Sequence, residues 1–267
     1  MKVVLFDMDG TLTPPRDVMG WPMVNSLYTL QNAGYEIGIV SGSDLDYIKQ
    51  QCVTLFDLTR VDCTNIHWLP CNGTKYYKYT REAAVEPYEF KSIYENNIRS
   101  HLGEEKWRRL IQLLTNLQNA MTRVHREIPL SGTFIQYRGS TVNWCPIGRS
   151  ATTEDRELWS SLNKDNSIRK SWIDLAKAGL KSAELDDVII KFGGDTSFDI
   201  YPVGWDKTFA FKNFKDYEDI YFIGDRCDPT GNDFEAYQLA GKKGFKTSSP
   251  AQTIEIISEI LSDNSNG

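Results

Sequence analysis

Apolar residues along this chain come in two rhythms. Near the N-terminus Val3-Val4-Leu5-Phe6 is uninterrupted, and Tyr35-Glu36-Ile37-Gly38-Ile39-Val40 is nearly so. Runs of this length without polar alternation read as strands buried on both faces of a parallel sheet. Between them Met23, Leu27, Leu30 and Ala33 recur at helical spacing, with Gly34 as a C-cap. That pattern predicts the crossover helix of a βαβ unit. A comparable run, Ile220-Tyr221-Phe222-Ile223, returns to the same texture late in the chain.

The intervening sequence is different. Trp68-Leu69-Pro70-Cys71-Asn72-Gly73 reads as a strand and tight turn, with Tyr76-Tyr77-Lys78-Tyr79 as a hairpin partner, so residues 52–95 are expected at the periphery of the first domain. The insertion at 79–94 carries no functional reading. From about Asn97 the chain changes character: Glu104 to Ala120 predicts a long amphipathic helix with Trp107, Leu110, Ile111, Leu114 and Leu117 on one face. Thr133–Arg138 and Thr141–Pro146 around Gly139-Ser140 predict a hairpin. Helices near 153–163 and 168–179 follow, the second closed by Gly179, and then strands at Val188–Phe192 and Thr196–Tyr201. An α+β layer of this kind inside a parallel-sheet domain is a cap. The expected fold class is α/β: a doubly wound, Rossmann-like core over residues 1–95 and 198–267, with an inserted α+β cap domain over 96–197.

Composition narrows the function classes. The 267 residues, 40 % hydrophobic and 12 % aromatic, suffice for real cores. A net charge of −6 argues against nucleic acid or an acidic membrane surface as a partner, so phosphate recognition falls to local arginines. Five scattered cysteines without a CxxC pair predict reduced thiols, neither a disulfide framework nor a zinc site. No apolar run approaches the ~18 residues of a membrane span and the N-terminus opens on a core strand, which predicts a cytoplasmic protein. Asn72-Gly73-Thr74 is then a turn and not a glycan site, and His67, His101 and His125, lacking metal-ligand spacing, are expected to be structural.

Candidate chemistry sits where the apolar runs stop. The first ends in Asp7-Met8-Asp9-Gly10-Thr11-Leu12-Thr13, the second in Ser41-Gly42-Ser43-Asp44, and the late one in Gly224-Asp225. Ligands collect at the carboxyl ends of strands in open α/β sheets. Two carboxylates two residues apart, followed by a glycine that lets the chain turn, can hold a cation and face a substrate. Small hydroxyl residues before a helix offer N–H groups to a phosphoryl oxygen, through Ser43 or Ser41. These stretches, with Lys207, resemble the haloacid dehalogenase (HAD) superfamily of aspartyl phosphotransferases.

A narrower resemblance runs through both domains. His101-Leu102-Gly103, Gly132–Arg138, Asn143–Ser150, Ser197–Pro202, Gly204–Lys207 and Asn232-Asp233 are similar, in order, to the eukaryotic-type phosphomannomutases. The resemblance implies an enzyme interconverting mannose 6-phosphate and mannose 1-phosphate through an aspartyl phosphate and a hexose 1,6-bisphosphate, supplying GDP-mannose synthesis. It implies Asp7 as nucleophile, Asp9 as general acid and base, and Lys207 as the cation that holds Asp7. Mg2+ would be held by Asp7, the Asp9 backbone carbonyl and Asp225. Arg16, Arg138, Arg149 and Arg156 would contact phosphate and sugar, Ser43 phosphate, and Asn143, Ser197 and Asp199 sugar hydroxyls. A hexose 1,6-bisphosphate would be the activator and a homodimer through the cap the assembly.

The sequence also departs from that pattern. Ser41 stands where the family has glycine, as in HAD phosphatases, and the fourth motif gains Asp228, leaving Asp228 or Asp233 as a loop brace or a support for the metal. Tyr237, Leu239 and Lys242 occupy positions of a further family metal site, and Leu239 offers no side-chain oxygen. The rival reading is a sugar-phosphate phosphatase of the same fold; retention of the three cap arginines speaks against it. A non-catalytic homologue is opposed by intact Asp7, Asp9, Lys207 and Asp225.

Overall fold

The computed structural model describes residues 1–56, 60–80 and 89–263. The chain begins with β1 (Lys2–Phe6), α1 (Trp21–Asn32), β2 (Tyr35–Val40), α2 (Leu45–Gln51), a short α3 (Val53–Phe56), β3 (Ile66–Leu69), β4 (Lys75–Thr80) and β5 (Glu89–Glu95). It continues through α4 (Ile98–Val124), β6 (Ile135–Tyr137), β7 (Val142–Trp144), α5 (Thr153–Leu162), α6 (Ser167–Ser182), β8 (Val188–Gly193) and β9 (Ser197–Pro202). A run of 3-10 turns, Lys207–Phe214, then leads to β10 (Asp219–Gly224), α7 (Phe234–Ala240), β11 (Gly244–Lys246) and α8 (Pro250–Asp263). Two compact units result: a core of Met1–Glu95 with Trp205–Gly267, and an inserted unit, Asn96–Gly204.

The core unit is built on a seven-stranded sheet of order β11-β10-β1-β2-β3-β4-β5. Its first five strands are parallel, and β4 and β5 are added antiparallel at one edge. Alternate residues of β1 serve opposite faces. Val4 and Phe6 pack in one apolar cluster with α1 and α8 residues such as Leu27, Leu30 and Ile257, while Val3 and Leu5 pack in another with Ala210, Phe214 and Phe222. Both faces are covered, which is why β1 and β2 read as nearly unbroken apolar runs. Gly38 interrupts β2 for a packing reason: a Cβ there would lie 2.4 Å from Leu5 Cδ2. Gly34, at φ 83°, follows the C-cap of α1 as expected.

The strand, tight turn and hairpin partner expected over 68–79 form as β3 and β4, which pair antiparallel, and β5 joins them at the edge of the sheet. Two expectations are revised. Residues 81–88 of the 79–94 insertion lie outside the described residues. The inserted unit extends to Gly204 instead of 197, because β9 pairs along its length with β8 and also with β7. Gly179 does not close α6, which runs on to Ser182; its missing Cβ makes room for Leu113 of α4, whose Cδ1 would be 2.5 Å away.

The inserted unit is a four-stranded antiparallel sheet, β6-β7-β9-β8, covered by helices. The hairpin of β6 and β7 pairs Gln136 with Asn143. α4 kinks at Gly103 (φ 75°) and buries Leu110, Leu114 and Leu117 within the unit. Among the described residues no helix is long and apolar enough to cross a membrane. The five cysteines are free and buried. His67 is buried between Glu36 Oε2, 2.5 Å from its Nε2, and Tyr76 Oη, 2.8 Å from its Nδ1; burial lowers its pKa to about 4 and leaves the ring neutral. Trp172 Nε1 donates to His125 Nε2 at 3.1 Å.

Candidate active site

β1 is carried one residue further by the Asp7 N–H, which donates to Ile223 O of β10 at 2.9 Å. The chain then turns around one carbonyl: Thr11, Leu12 and Thr13 all donate their N–H to Met8 O, at 3.2, 2.9 and 3.0 Å. Gly10 is required twice in this turn. Its φ is 84°, and a Cβ would lie 2.5 Å from Asp225 Oδ2, so only glycine lets the loop reach the end of β10.

Lys207 opens the 3-10 run, whose first turn is capped by Asp206 accepting from Thr208 N at 2.9 Å. Its side chain is fully buried. Nζ donates to Asp7 Oδ1 and, at 2.5 Å, to Asp233 Oδ1, and Thr11 Oγ1 donates to Asp7 Oδ2 at 3.3 Å. Asp233 in turn accepts from Arg226 N at 3.0 Å. Asp7, Asp225 and Asp233 each offer a carboxylate oxygen, all within 4.8 Å of one another.

Three carboxylates around one ammonium leave a buried excess of negative charge. Burial, reinforced by Asp233 and opposed by Lys207, raises the Asp7 pKa well above the ordinary carboxylate range. Burial and Asp233 likewise push Asp225 up to about 6. Burial opposes the charge of Lys207, but Asp233 and Asp7 outweigh it and keep its pKa above that of an ordinary lysine. An all-oxygen set with this surplus suits a hard divalent cation such as Mg2+, which would relieve the repulsion.

The expected residues are thus brought together in part differently. Asp7, Lys207 and Asp225 meet. Asp233 joins them instead of remaining a loop brace; that role falls to exposed Asp228, whose carboxylate oxygens lie 2.8 and 2.9 Å from Lys246 Nζ. The Asn232-Asp233 pair was visible as a motif, but only the fold of Gly231 against Arg226 O, 1.9 Å from a would-be Cβ, carries Asp233 inward. The Asp9 carboxylate stands apart from the three-carboxylate group. Its Oδ1 accepts from Arg16 N (3.1 Å), Tyr47 Oη (3.0 Å) and Gln51 Nε2 (3.0 Å). Tyr47 and Gln51 had no signal beyond a helical spacing of four residues. Ser41 Oγ accepts from Ser43 N at 3.1 Å, which braces the loop. Leu239, 57 % exposed on α7, adds no ligand.

Within the inserted unit the expected sugar contacts also converge. Asn143 and Asp199 are partners across β7 and β9, and Asn143 Nδ2 donates to Asp199 Oδ1 at 2.7 Å and Ser197 Oγ at 3.0 Å. Arg138 Nη1 lies 3.7 Å from Asp199 Oδ1. Asn143 Oδ1 is buried and makes no hydrogen bond. Arg156 spans the adjoining loops, donating to Thr196 Oγ1 at 3.3 Å, Ala151 O at 3.1 Å and Arg149 O at 3.3 Å. The sequence reading missed Arg169, buried in α6, which donates to Ser197 O at 2.8 Å and lies 4.4 Å from the centre of the Phe192 ring.

Comparisons with known proteins agree with this geometry. Residues 23–263 match the model of the eukaryotic phosphomannomutase family. The chain is 32 % identical to a phosphomannomutase of Drosophila melanogaster, over 97 % of this chain and 95 % of the relative. It is also 32 % identical to phosphomannomutase 1 of Mus musculus, over 96 % and 91 %. Among solved structures, an IMP-nucleotidase of Plasmodium falciparum superposes with a TM-score of 0.66 at 14 % identity, covering 97 % of this chain and 70 % of that one. A trehalose-6-phosphate phosphatase of Aspergillus fumigatus gives 0.51 at 15 %, covering 98 % and 92 %. At such identities these two show the fold alone, that of HAD-type phosphatases. The family match over most of the length and the relatives spanning nearly all of it place this chain in the eukaryotic phosphomannomutase family.

Proposed function

We propose that the chain, a phosphotransferase-type isomerase by its family, interconverts mannose 6-phosphate and mannose 1-phosphate through an aspartyl phosphate on Asp7. The observation that carries this reading is the separation of two neighbouring carboxylates into two environments. Asp7 is bound to a buried ammonium, whereas Asp9 is held by neutral donors only. Such a split suits a nucleophile beside a proton donor and acceptor.

In the forward step an Asp7 carboxylate oxygen forms a bond to phosphorus as the bond from phosphorus to the sugar oxygen breaks, and Asp9 supplies the proton to that oxygen. In the return step Asp9 takes the proton of the attacking hydroxyl and Asp7 is released. Lys207 fixes Asp7 and neutralises phosphoryl oxygens, and Ser43 donates to one of them. Mg2+, held by Asp7, Asp225 and the Asp9 carbonyl with Asp233 beside them, would supply further charge neutralisation. Arg138, Arg149 and Arg156 of the inserted unit receive the second phosphate in the manner of guanidinium forks, and Asn143, Ser197 and Asp199 take sugar hydroxyls. A hexose 1,6-bisphosphate primes Asp7 and is the intermediate that turns over. A cytoplasmic homodimer joined through the inserted unit, feeding GDP-mannose synthesis, completes the proposal.

The test is a Mg2+-dependent assay on mannose 1-phosphate with and without catalytic hexose 1,6-bisphosphate, following hexose 6-phosphate and free phosphate together. Hexose 6-phosphate appearing only with the bisphosphate supports the reading. Release of free phosphate as the main product defeats it.

A further inference from the structure

Gln51 is the last residue of α2, 3 % exposed, and its side-chain amide lies between two groups of the β1 loop. Nε2 faces Asp9 Oδ1 at 3.0 Å and Oε1 faces Thr13 Oγ1 at 2.6 Å. The direction of this chain is dictated by charge. A carboxylate accepts and does not donate, so the amide must present its N–H to Asp9; its oxygen is then left to Thr13, whose hydroxyl must donate. Thr13 orients Gln51, and Gln51 orients Asp9. The backbone reinforces the arrangement, since Met19 N donates to Gln51 O at 2.8 Å and ties the loop after Asp9 to the same residue.

All three hydrogen bonds to Asp9 end on one oxygen. Gln51 Nε2, Tyr47 Oη and Arg16 N share Oδ1. A carboxylate oxygen has room for about two good donors along its lone pairs, so Oδ1 is saturated and the carboxylate cannot rotate without losing them. The geometry points to Gln51 as the positioning residue of the proton-transfer step: by pinning Oδ1 it assigns Oδ2 as the oxygen that gives and takes the proton of the sugar hydroxyl. This rests on the reading of Asp9 as general acid and base. Tyr47, half-buried, is the auxiliary donor, and Thr13 acts through Gln51.

A leaving-group comparison tests the assignment. Transfer from a hexose phosphate to Asp7 expels an alkoxide that needs a proton, whereas transfer from p-nitrophenyl phosphate expels a phenolate that does not. Gln51→Met keeps the length of the side chain without its donor. It is expected to slow hexose phosphate turnover about tenfold or more, chiefly in kcat, while the single-turnover nitrophenolate burst stays within about twofold of the wild type. Tyr47→Phe, at a partly exposed position, should show the same selectivity with a smaller loss and decides the matter if Gln51→Met does not fold. Equal losses on both donors, or no loss on either, overturn the inference. Asp9→Asn is run alongside. If it too fails to discriminate between the donors, the role of Asp9 itself falls; if it discriminates and the Gln51 and Tyr47 variants do not, only the positioning claim falls.

Discussion

Replacing Asp225 by asparagine should make the metal-free protein more stable, and the gain should depend on pH. In the folded state the Asp225 carboxyl titrates near 6, against 3.8 for an ordinary aspartate, because it is buried beside Asp233. Two powers of ten in proton affinity correspond to about 3 kcal/mol. The folded protein binds this proton more tightly than the unfolded chain does, so the contribution is favourable below about pH 4 and is lost as pH rises through about 6. At pH 7.5 the wild type therefore carries a penalty of about 3 kcal/mol that an uncharged asparagine does not. The attraction of Arg226, 3.8 Å away, and of Lys207 is already contained in that raised pKa. The expectation is therefore a gain of about 3 kcal/mol at pH 7.5, shrinking to about 1 kcal/mol at pH 4.5. Urea unfolding of both proteins in a chelator at the two pH values measures it. Saturating Mg2+ should invert the order at neutral pH, because a ligand at about a thousand times its Kd stabilises the wild type by about 4.1 kcal/mol. A variant no more stable than the wild type in chelator at pH 7.5, or an advantage independent of pH, would refute the account of the three-carboxylate cluster.

Lys207→Met should lower kcat by about a hundredfold or more, since it removes the cation shared by Asp7 and Asp233; steady-state rates under saturating Mg2+ check this. Asp7→Asn should abolish formation of a Mg2+-dependent beryllofluoride adduct, seen by fluorine NMR, while Asp228→Asn, on the exposed loop, leaves it intact. Gly148→Ala should lower stability by about 3 kcal/mol or more, because φ is 93° and the new Cβ would lie 2.2 Å from Gly132 O; a melting temperature within a degree of the wild type would contradict it. Leu114→Ala in α4 should cost about 2 to 5 kcal/mol by urea unfolding, as a fully buried leucine in the inserted unit.

Much of the core was legible in the sequence because burial on both faces writes itself as an unbroken apolar run, and the polar residues that stop such a run mark the site. Asp7, Asp225 and the hydroxyl loop at Ser41–Ser43 were found in this way. Asp233 was seen as a motif residue but not as a member of the acidic group, since its inward turn depends on Gly231 packing under a backbone carbonyl. Spacing contains no trace of such a contact. β4 was legible as the hairpin partner of β3, whereas β5 escaped because an exposed edge strand lacks a clean alternation. Gly179 was misread for a related reason: a glycine at a helix end and a glycine against a neighbouring leucine look alike in one dimension. Gln51 and Arg169 belong to no motif, and only the positions of their partners single them out.

The sheet register also carries a consequence for biosynthesis. Lys2 of β1 lies opposite Asp219 of β10, so one flank of the central strand stays open until nearly the whole chain has left the ribosome. Closing a segment of about 200 residues costs about 2 kcal/mol more in chain entropy than closing one of about 30, and it must wait for translation besides. The inserted unit is contiguous and has its own buried leucines, so its strands find their partners earlier. A nascent chain halted once Gly204 has cleared the ribosome would therefore display a finished insert attached to an unfinished, sticky sheet, an intermediate prone to misassociation.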